Sequence, residues 1–302
     1  MKRLSLTALA VAALLTACER PLIEGEVPEV NDSGLVTPEQ SRVKKFTFTL
    51  KGDFSSEWKP VSHRTAGYLA ADGKDMTDVW VLDYMGGELV QQLHQGDNTA
   101  EDFGQPSLNL KYGAHHIYFI ASRGQSPQID TDSHTITFAK VFDTFWRDYE
   151  VSVVSTSNGN RAVELSRCVT RLRLTFTDAV VPETSTINIT PNTWYYGFDY
   201  TDGTPCEMKT FQPISITIPD NEKGKTGLLA NIFSFSTSDE WTTDVSINSK
   251  KSDGCVIGSA VINDAPFKAN RITEYSGPLF GSDGKMALSL NGTWDDSYQG
   301  TW

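Results

Sequence analysis

Strict alternation of apolar and polar side chains runs through this chain. Over 44–51, Phe46, Phe48 and Leu50 alternate with Lys45, Thr47, Thr49 and Lys51. One apolar and one polar face at period two mark a half-buried antiparallel strand. A second strand is predicted over 79–84. Gly86-Gly87 then supplies a turn and 88–93 returns as the other arm of a hairpin. The stretch 117–121 is apolar on both faces, which predicts a central place in a sheet. One segment departs from period two. Over 138–149, Phe138, Val141, Phe142, Phe145 and Tyr149 fall on one side at helical spacing, and Thr137 stands where a cap belongs. A short helix with an aromatic core stripe is expected there.

The polar, turn-rich 155–160 (STSNGN) is the candidate domain boundary. Beyond it Leu172, Leu174 and Phe176 are expected on one face, with Arg171, Arg173, Thr175 and Thr177 on the other. Further strands are predicted at 186–190, 214–218, 228–235, 244–248, 255–262 and 285–290. Many short strands divided by Gly, Pro, Asn and Asp turns indicate an all-β protein built of β-sandwiches. Single cores stop growing near ~250–300 residues, so a chain of 302 residues is expected to form two domains. They are assigned to 41–158 and 159–302.

The first residues read differently. Lys2 and Arg3 precede an apolar run over 4–15, too short for the ~20 residues of a membrane span but right for a secretory signal. Leu15-Thr16-Ala17-Cys18 is similar to a bacterial lipobox, which implies a signal peptide at 1–17, cleavage before Cys18 and acylation of that cysteine. The alternative is an ordinary signal peptide followed by an incidental cysteine. Residues 18–40 carry Pro21, Pro28, Pro38 and several acids without periodicity, the composition of a flexible linker behind the lipid.

Net charge is −12, and loss of Lys2 and Arg3 would deepen it. That argues against nucleic acid and against a broad electrostatic dock on anionic lipid. Cys168, Cys206 and Cys255 remain beside Cys18 without any CxxC spacing, so they offer no zinc signature and no defined pairing.

No catalytic, cofactor or metal site is expected. Gly224-Lys225-Thr226 resembles the end of a phosphate loop, but Pro219 occupies the place of its first glycine. Asp130 and Asp132 begin like a calcium loop, yet Thr135 stands where the turn needs glycine. His115 and His116 are neighbours on a predicted strand and so face opposite ways, poorly placed to share one ion. Asp295-Asp296 reads as a solvated turn. Of the seven tryptophans, Trp80 and Trp146 sit in apolar patterns and are expected in the core. Trp58, Trp241, Trp294 and Trp302 have polar neighbours and are expected to be exposed, which keeps a surface glycan-binding lipoprotein as the alternative function.

The ordered segments together resemble the fimbrillin-like, FimB-type lipoproteins of type V pili. The resemblance is carried by KKFTFTL at 44–50, DVWVLD at 78–83 with Gly87-Glu88-Leu89-Val90, and LKYGAHHIYFIA at 110–121. It continues through 165–167 with 169–174, NRITEYSGPLF at 270–280, and the Trp294 segment. It implies two tandem transthyretin-like β-sandwich domains without catalysis, and subunits exported to the outer membrane as lipoproteins. It implies other fimbrial subunits as partners, joined by β-strand complementation, with host or bacterial surface ligands as further candidates. In polymerising members a protease cuts after a basic residue and removes the first strand. In anchor members that strand stays. Here Phe46, Phe48 and Leu50 would fill the groove if retained, and Arg64 is either a processing site or a solvated loop arginine. Met286, Leu288 and Leu290 would form either a donor strand or the last strand of the second sandwich. The polar tail 291–302 favours an anchor or minor component.

Overall fold

The computed structural model describes residues 42–52, 76–123 and 127–280, together with the backbone of a last strand at 287–289. These residues form twenty strands in five sheets. The first sheet has the order β4 (Ser107–Lys111), β1 (Val43–Lys51), β9 (Asn160–Glu164). The second is β10 (Ser166–Arg167), β8 (Thr144–Val153), β5 (Gly113–Ser122), β2 (Asp78–Met85), β3 (Glu88–Gln95). The third is β14 (Pro205–Lys209), β13 (Trp194–Asp199), β7 (Thr135–Thr137), β6 (Gln128–Asp130). The fourth is β16 (Leu228–Phe235), β11 (Val169–Phe176), β19 (Ile272–Gly277), β20 (Ala287–Ser289). The fifth is β15 (Ile214–Thr217), β12 (Thr186–Pro191), β17 (Trp241–Lys250), β18 (Val256–Phe267).

Two cores hold these sheets. Phe46, Phe48, Leu108, Leu110 and Val163 of the first sheet pack against Val79, Val81, Ile117, Phe119 and Phe145 of the second. The alternation in β1 decides this: Phe46 and Phe48 are fully buried while Lys45, Thr49 and Lys51 are exposed. In the second core, Leu172, Leu174 and Phe176 of β11 meet Ile187, Ile189, Val245 and Ile247 of the fifth sheet. The same core runs on to Trp80, Leu82, Tyr84, Tyr118 and Ile120, the opposite face of the second sheet. Both faces of the second sheet are therefore covered, and β5 lies at its centre as its apolar run predicts.

The helix expected over 138–149 does not form. β8 is a strand in antiparallel register with β5 from Gly113 opposite Val153 to Ser122 opposite Thr144. Its β-branched and aromatic residues (Thr144, Phe145, Trp146, Tyr149, Val151, Val153) suit a pleated surface. Phe145 enters the first core while Trp146 packs on the second. Burial on both sides removes the alternation, and the surviving apolar positions imitate helical spacing. Residues 138–143 run irregularly into it, with Phe138, Val141 and Phe142 buried. Among the described residues the only helical piece is a 3-10 turn at Asp220–Glu222. Arg171, on the face of β11 opposite Leu172, is fully buried as well, with its guanidinium 5.9 Å from the Phe233 ring centroid.

The two halves of the chain share a sheet. The β6–β7 hairpin from the first half adds to the β13–β14 hairpin from the second, with Gly197 opposite Thr137 and Phe198 opposite Ile136. Tyr84 and Tyr200 join across the same seam with their hydroxyl oxygens 2.6 Å apart, and Trp146 Nε1 donates to the Tyr200 carbonyl at 2.8 Å. β9 and β10 still belong to the first two sheets. The chain changes over between Arg167 and Val169, where β11 opens the fourth sheet.

Candidate functional site

β1 is held on both sides. Its first half, Val43 to Thr47, pairs antiparallel with β4, and its second half, Thr47 to Lys51, pairs parallel with β9. Thr47 N–H donates to the Gly159 carbonyl at 2.7 Å, and Phe48 and Leu50 N–H donate to the Pro106 and Gly104 carbonyls at 3.0 Å each. The Leu165 N–H donates back to the Lys51 carbonyl at 2.7 Å. Backbone groups thus fix the register, while side chains fill a preformed pocket. The Phe48 ring lies 5.0 Å from Phe119 and 5.9 Å, edge-on, from Tyr149. Phe46 stacks 6.1 Å from Phe48, and the Arg161 guanidinium covers it at 5.3 Å. The polar face is tied down only lightly, by a 2.9 Å contact between the hydroxyls of Thr47 and Ser107.

The tightness of this groove has a backbone cause. A Cβ on Gly159 would sit 2.4 Å from the Lys45 carbonyl oxygen, so only glycine lets the segment before β9 approach β1 this closely. Sequence reasoning found β1 but not β9, whose NRAVE is short and mostly polar, nor the part played by Gly159. Along the chain, Asn158-Gly159 carries only the signal of a turn. Its separation from β1 by more than a hundred residues hides the contact.

The other residues singled out from the sequence divide clearly. Cys18, Trp58, Arg64, Trp294, Asp295-Asp296 and Trp302, and the side chains of Met286, Leu288 and Leu290, lie outside the described residues. The backbone of β20 pairs antiparallel with β19 and forms the last strand of the fourth sheet. His115 and His116 do point to opposite faces. His115 is buried, and His116 is half-exposed beside Asp148 and Glu150. Asp130 closes a turn by accepting the Asp132 and Ser133 N–H groups at 2.9 and 3.1 Å. Gly224-Lys225-Thr226 leads into strand β16, with Lys225 Nζ 3.5 Å from Glu222. Trp80 is buried, and Trp146 packs partly buried against the second core.

Trp241 is not the exposed platform its polar neighbours suggest. It is partly buried, 5.1 Å from Phe267, 6.2 Å from Trp194 and 5.6 Å from Tyr195, and its Nε1 donates to Ser236 Oγ at 2.9 Å. Alternation along β17 turns the ring toward the edge of the core. The three described cysteines are free. Burial pushes the Cys168 thiol far up, and it pushes Cys206 up to about 11. The exposed Cys255 thiol is also raised, by its contact with Asp253. None of the three is set up as a thiolate nucleophile.

Compared with solved structures, the chain aligns over 86% of its length with 96% of a candidate adhesin from Bacteroides ovatus, at a TM-score of 0.50 and 12% identity. The two share a fold. A fimbrial assembly protein from Parabacteroides distasonis aligns with 82% of this chain and 96% of its own, at a TM-score of 0.46 and 10% identity. The C-terminally truncated tip fimbrial protein of Porphyromonas gingivalis aligns with 82% of this chain and 99% of its own, at a TM-score of 0.42 and 12% identity. No protein-family model matches the chain, and no curated protein matches it by sequence.

Proposed function

We propose that this chain is a lipid-anchored fimbrial subunit of the cell outer membrane, an anchor or minor component in pilus assembly and cell adhesion. The observation that carries the reading is the placement of β1. A strand clamped by β4 on one edge and β9 on the other, with two fully buried phenylalanines, is a self-filled groove. Its removal would free two rows of backbone groups and two aromatic pockets together. That is the combination an incoming strand satisfies in β-augmentation. The shared fold with a candidate adhesin supports the same direction.

In this reading, Met1 to Ala17 is the signal peptide, Cys18 carries the acyl chains, and 18–40 is the spacer. The two cores correspond to two tandem transthyretin-like sandwiches. Other fimbrial subunits are the partners, and no catalysis, cofactor or nucleic acid is involved. Each buried methylene of an acyl chain adds about 0.8 kcal/mol of membrane affinity, so several chains hold the subunit firmly.

Intact mass of the protein extracted from native outer membranes tests this. The expected species is Cys18 to Trp302 plus acyl chains, with β1 retained. An unlipidated fragment beginning just after Arg64 would overturn the anchor role in favour of a polymerising shaft subunit. Pili of unchanged length and attachment after deletion of the gene would overturn the fimbrial reading itself.

A further inference from the structure

His116, Asp148 and Glu150 converge on one face of the second sheet, away from the β1 groove. β5 and β8 run antiparallel with His116 opposite Glu150 and Tyr118 opposite Asp148. Alternation then puts Asp148 and Glu150, two residues apart, on the same side as His116. His116 Nδ1 lies 3.7 Å from Glu150 Oε1 and 3.9 Å from Asp148 Oδ1, and the three candidate donor atoms all fall within 4.8 Å of one another. From this geometry we propose that His116, Asp148 and Glu150 bind a divalent transition-metal ion of the zinc class.

The distances fit that chemistry. Zinc bonds of ~2.1 Å at tetrahedral angles set neighbouring donors about 3.4 Å apart. Both His116 distances are within about half an ångström of this value. The Glu150 side chain, 73% exposed, is free to close the remaining gap. One imidazole nitrogen with two carboxylate oxygens favours zinc over calcium or magnesium, which take oxygen alone. Three protein ligands leave a position for water.

A second observation points the same way. Asp148 Oδ1 is itself shielded and accepts no hydrogen bond, although its side chain is 34% exposed, and it faces His116 Nδ1 at 3.9 Å. A bound divalent ion would supply the buried oxygen with a partner and offset the crowding of carboxylates.

The consequence is mechanical. His116 lies opposite Tyr84 on β2, and Tyr84 joins Tyr200 across the seam between the halves. A metal bridging β5 and β8 at this point would brace the central strand pair beside that seam. The site escapes a reading along the chain because His116 is separated from its two partners by more than thirty residues. The adjacent His115 takes no part, since its ring is turned to the other face.

Zinc titration of the full chain, by calorimetry and by thermal unfolding in metal-free buffer with and without zinc chloride, tests the proposal. The native protein should bind one zinc per chain and unfold at higher temperature with zinc, because only the folded state brings the ligands together. His116→Ala should weaken binding roughly tenfold or more and abolish the thermal shift. Glu150→Gln, at a largely exposed position, should do the same without disturbing the fold. His94→Ala, at another partly exposed histidine beside Asp78, should leave both readouts unchanged. Zinc affinity equal in the native protein and His116→Ala, or lost in His94→Ala, would overturn the site.

Discussion

His115 Nδ1 lies 2.7 Å from Asp83 Oδ1, and both side chains are almost wholly buried. The other ring nitrogen lies 2.8 Å from the Lys111 carbonyl oxygen, which can only accept, so Nε2 carries a hydrogen. Burial raises the Asp83 carboxyl above its ordinary value, and the His115 contact offsets only part of that rise. A carboxyl raised in the folded state binds its proton more readily there than in the unfolded chain. Its contribution is therefore greatest below the unfolded value near 3.8 and is lost as pH rises through the folded value. Urea denaturation across a pH series should show the native protein gaining stability relative to Asp83→Asn as pH falls toward that value. The gain is about 1.4 kcal/mol for each unit by which the folded value exceeds the unfolded one.

Arg167 ties the halves together through a buried ion pair. Its Nε and Nη2 donate to the two oxygens of Asp143 at 2.7 and 3.2 Å, and its Nη1 donates to the Asn270 side-chain oxygen at 2.8 Å. The guanidinium stands 4.4 Å from the Phe145 ring, and Arg123 lies 3.9 Å from the same carboxylate. Asp143→Ala would leave two buried guanidinium groups facing a void. A loss of about 3–5 kcal/mol is expected, measured as a lowered urea midpoint. An apolar replacement of Asp143 and Arg167 together, matched in volume, should cost less than the single change.

Gly197 sits where the hairpins of the two halves meet. A Cβ there would lie 2.7 Å from the Ile136 carbonyl oxygen and 3.0 Å from Thr137 Oγ1. Gly197→Ala should push β7 away from β13 and destabilise the protein by about 1–3 kcal/mol. Faster amide hydrogen exchange in 128–137 than in β2 or β5 would show that the loss starts at the shared sheet.

Phe48→Ala tests the grip on β1. Removing a fully buried ring that contacts Phe119 and Tyr149 should cost about 3–5 kcal/mol. Thr49→Ala, on the exposed face, should stay within about 0.5 kcal/mol. Limited proteolysis should cut Phe48→Ala within 43–51 before any cleavage appears in the fourth and fifth sheets.

Local pattern carried most of the strands. Wherever one face is wet, as in β1, alternation alone locates the element, and the Gly86-Gly87 turn places the β2–β3 hairpin. The pattern failed where both faces are covered. β8 lost its alternation because Phe145 and Trp146 are claimed by different cores, and it read as a helix. Arg171 is polar by type, yet it is fully buried beside Phe233 of the neighbouring strand. Short strands such as β6, β7, β9 and β14 carry too few residues for any period to emerge.

By itself, then, the sequence determined the all-β character, the position of the first strand and the residues on its apolar face, because those follow from chemistry repeated at period two. Tertiary structure alone decided what each strand meets. It put β9 beside β1 through a glycine, joined hairpins from opposite halves into one sheet, turned Trp241 into a core edge, and brought His116 to Asp148 and Glu150. These are contacts between residues far apart in the chain. Their energies depend on register and burial across sheets, and no local run of side chains encodes them.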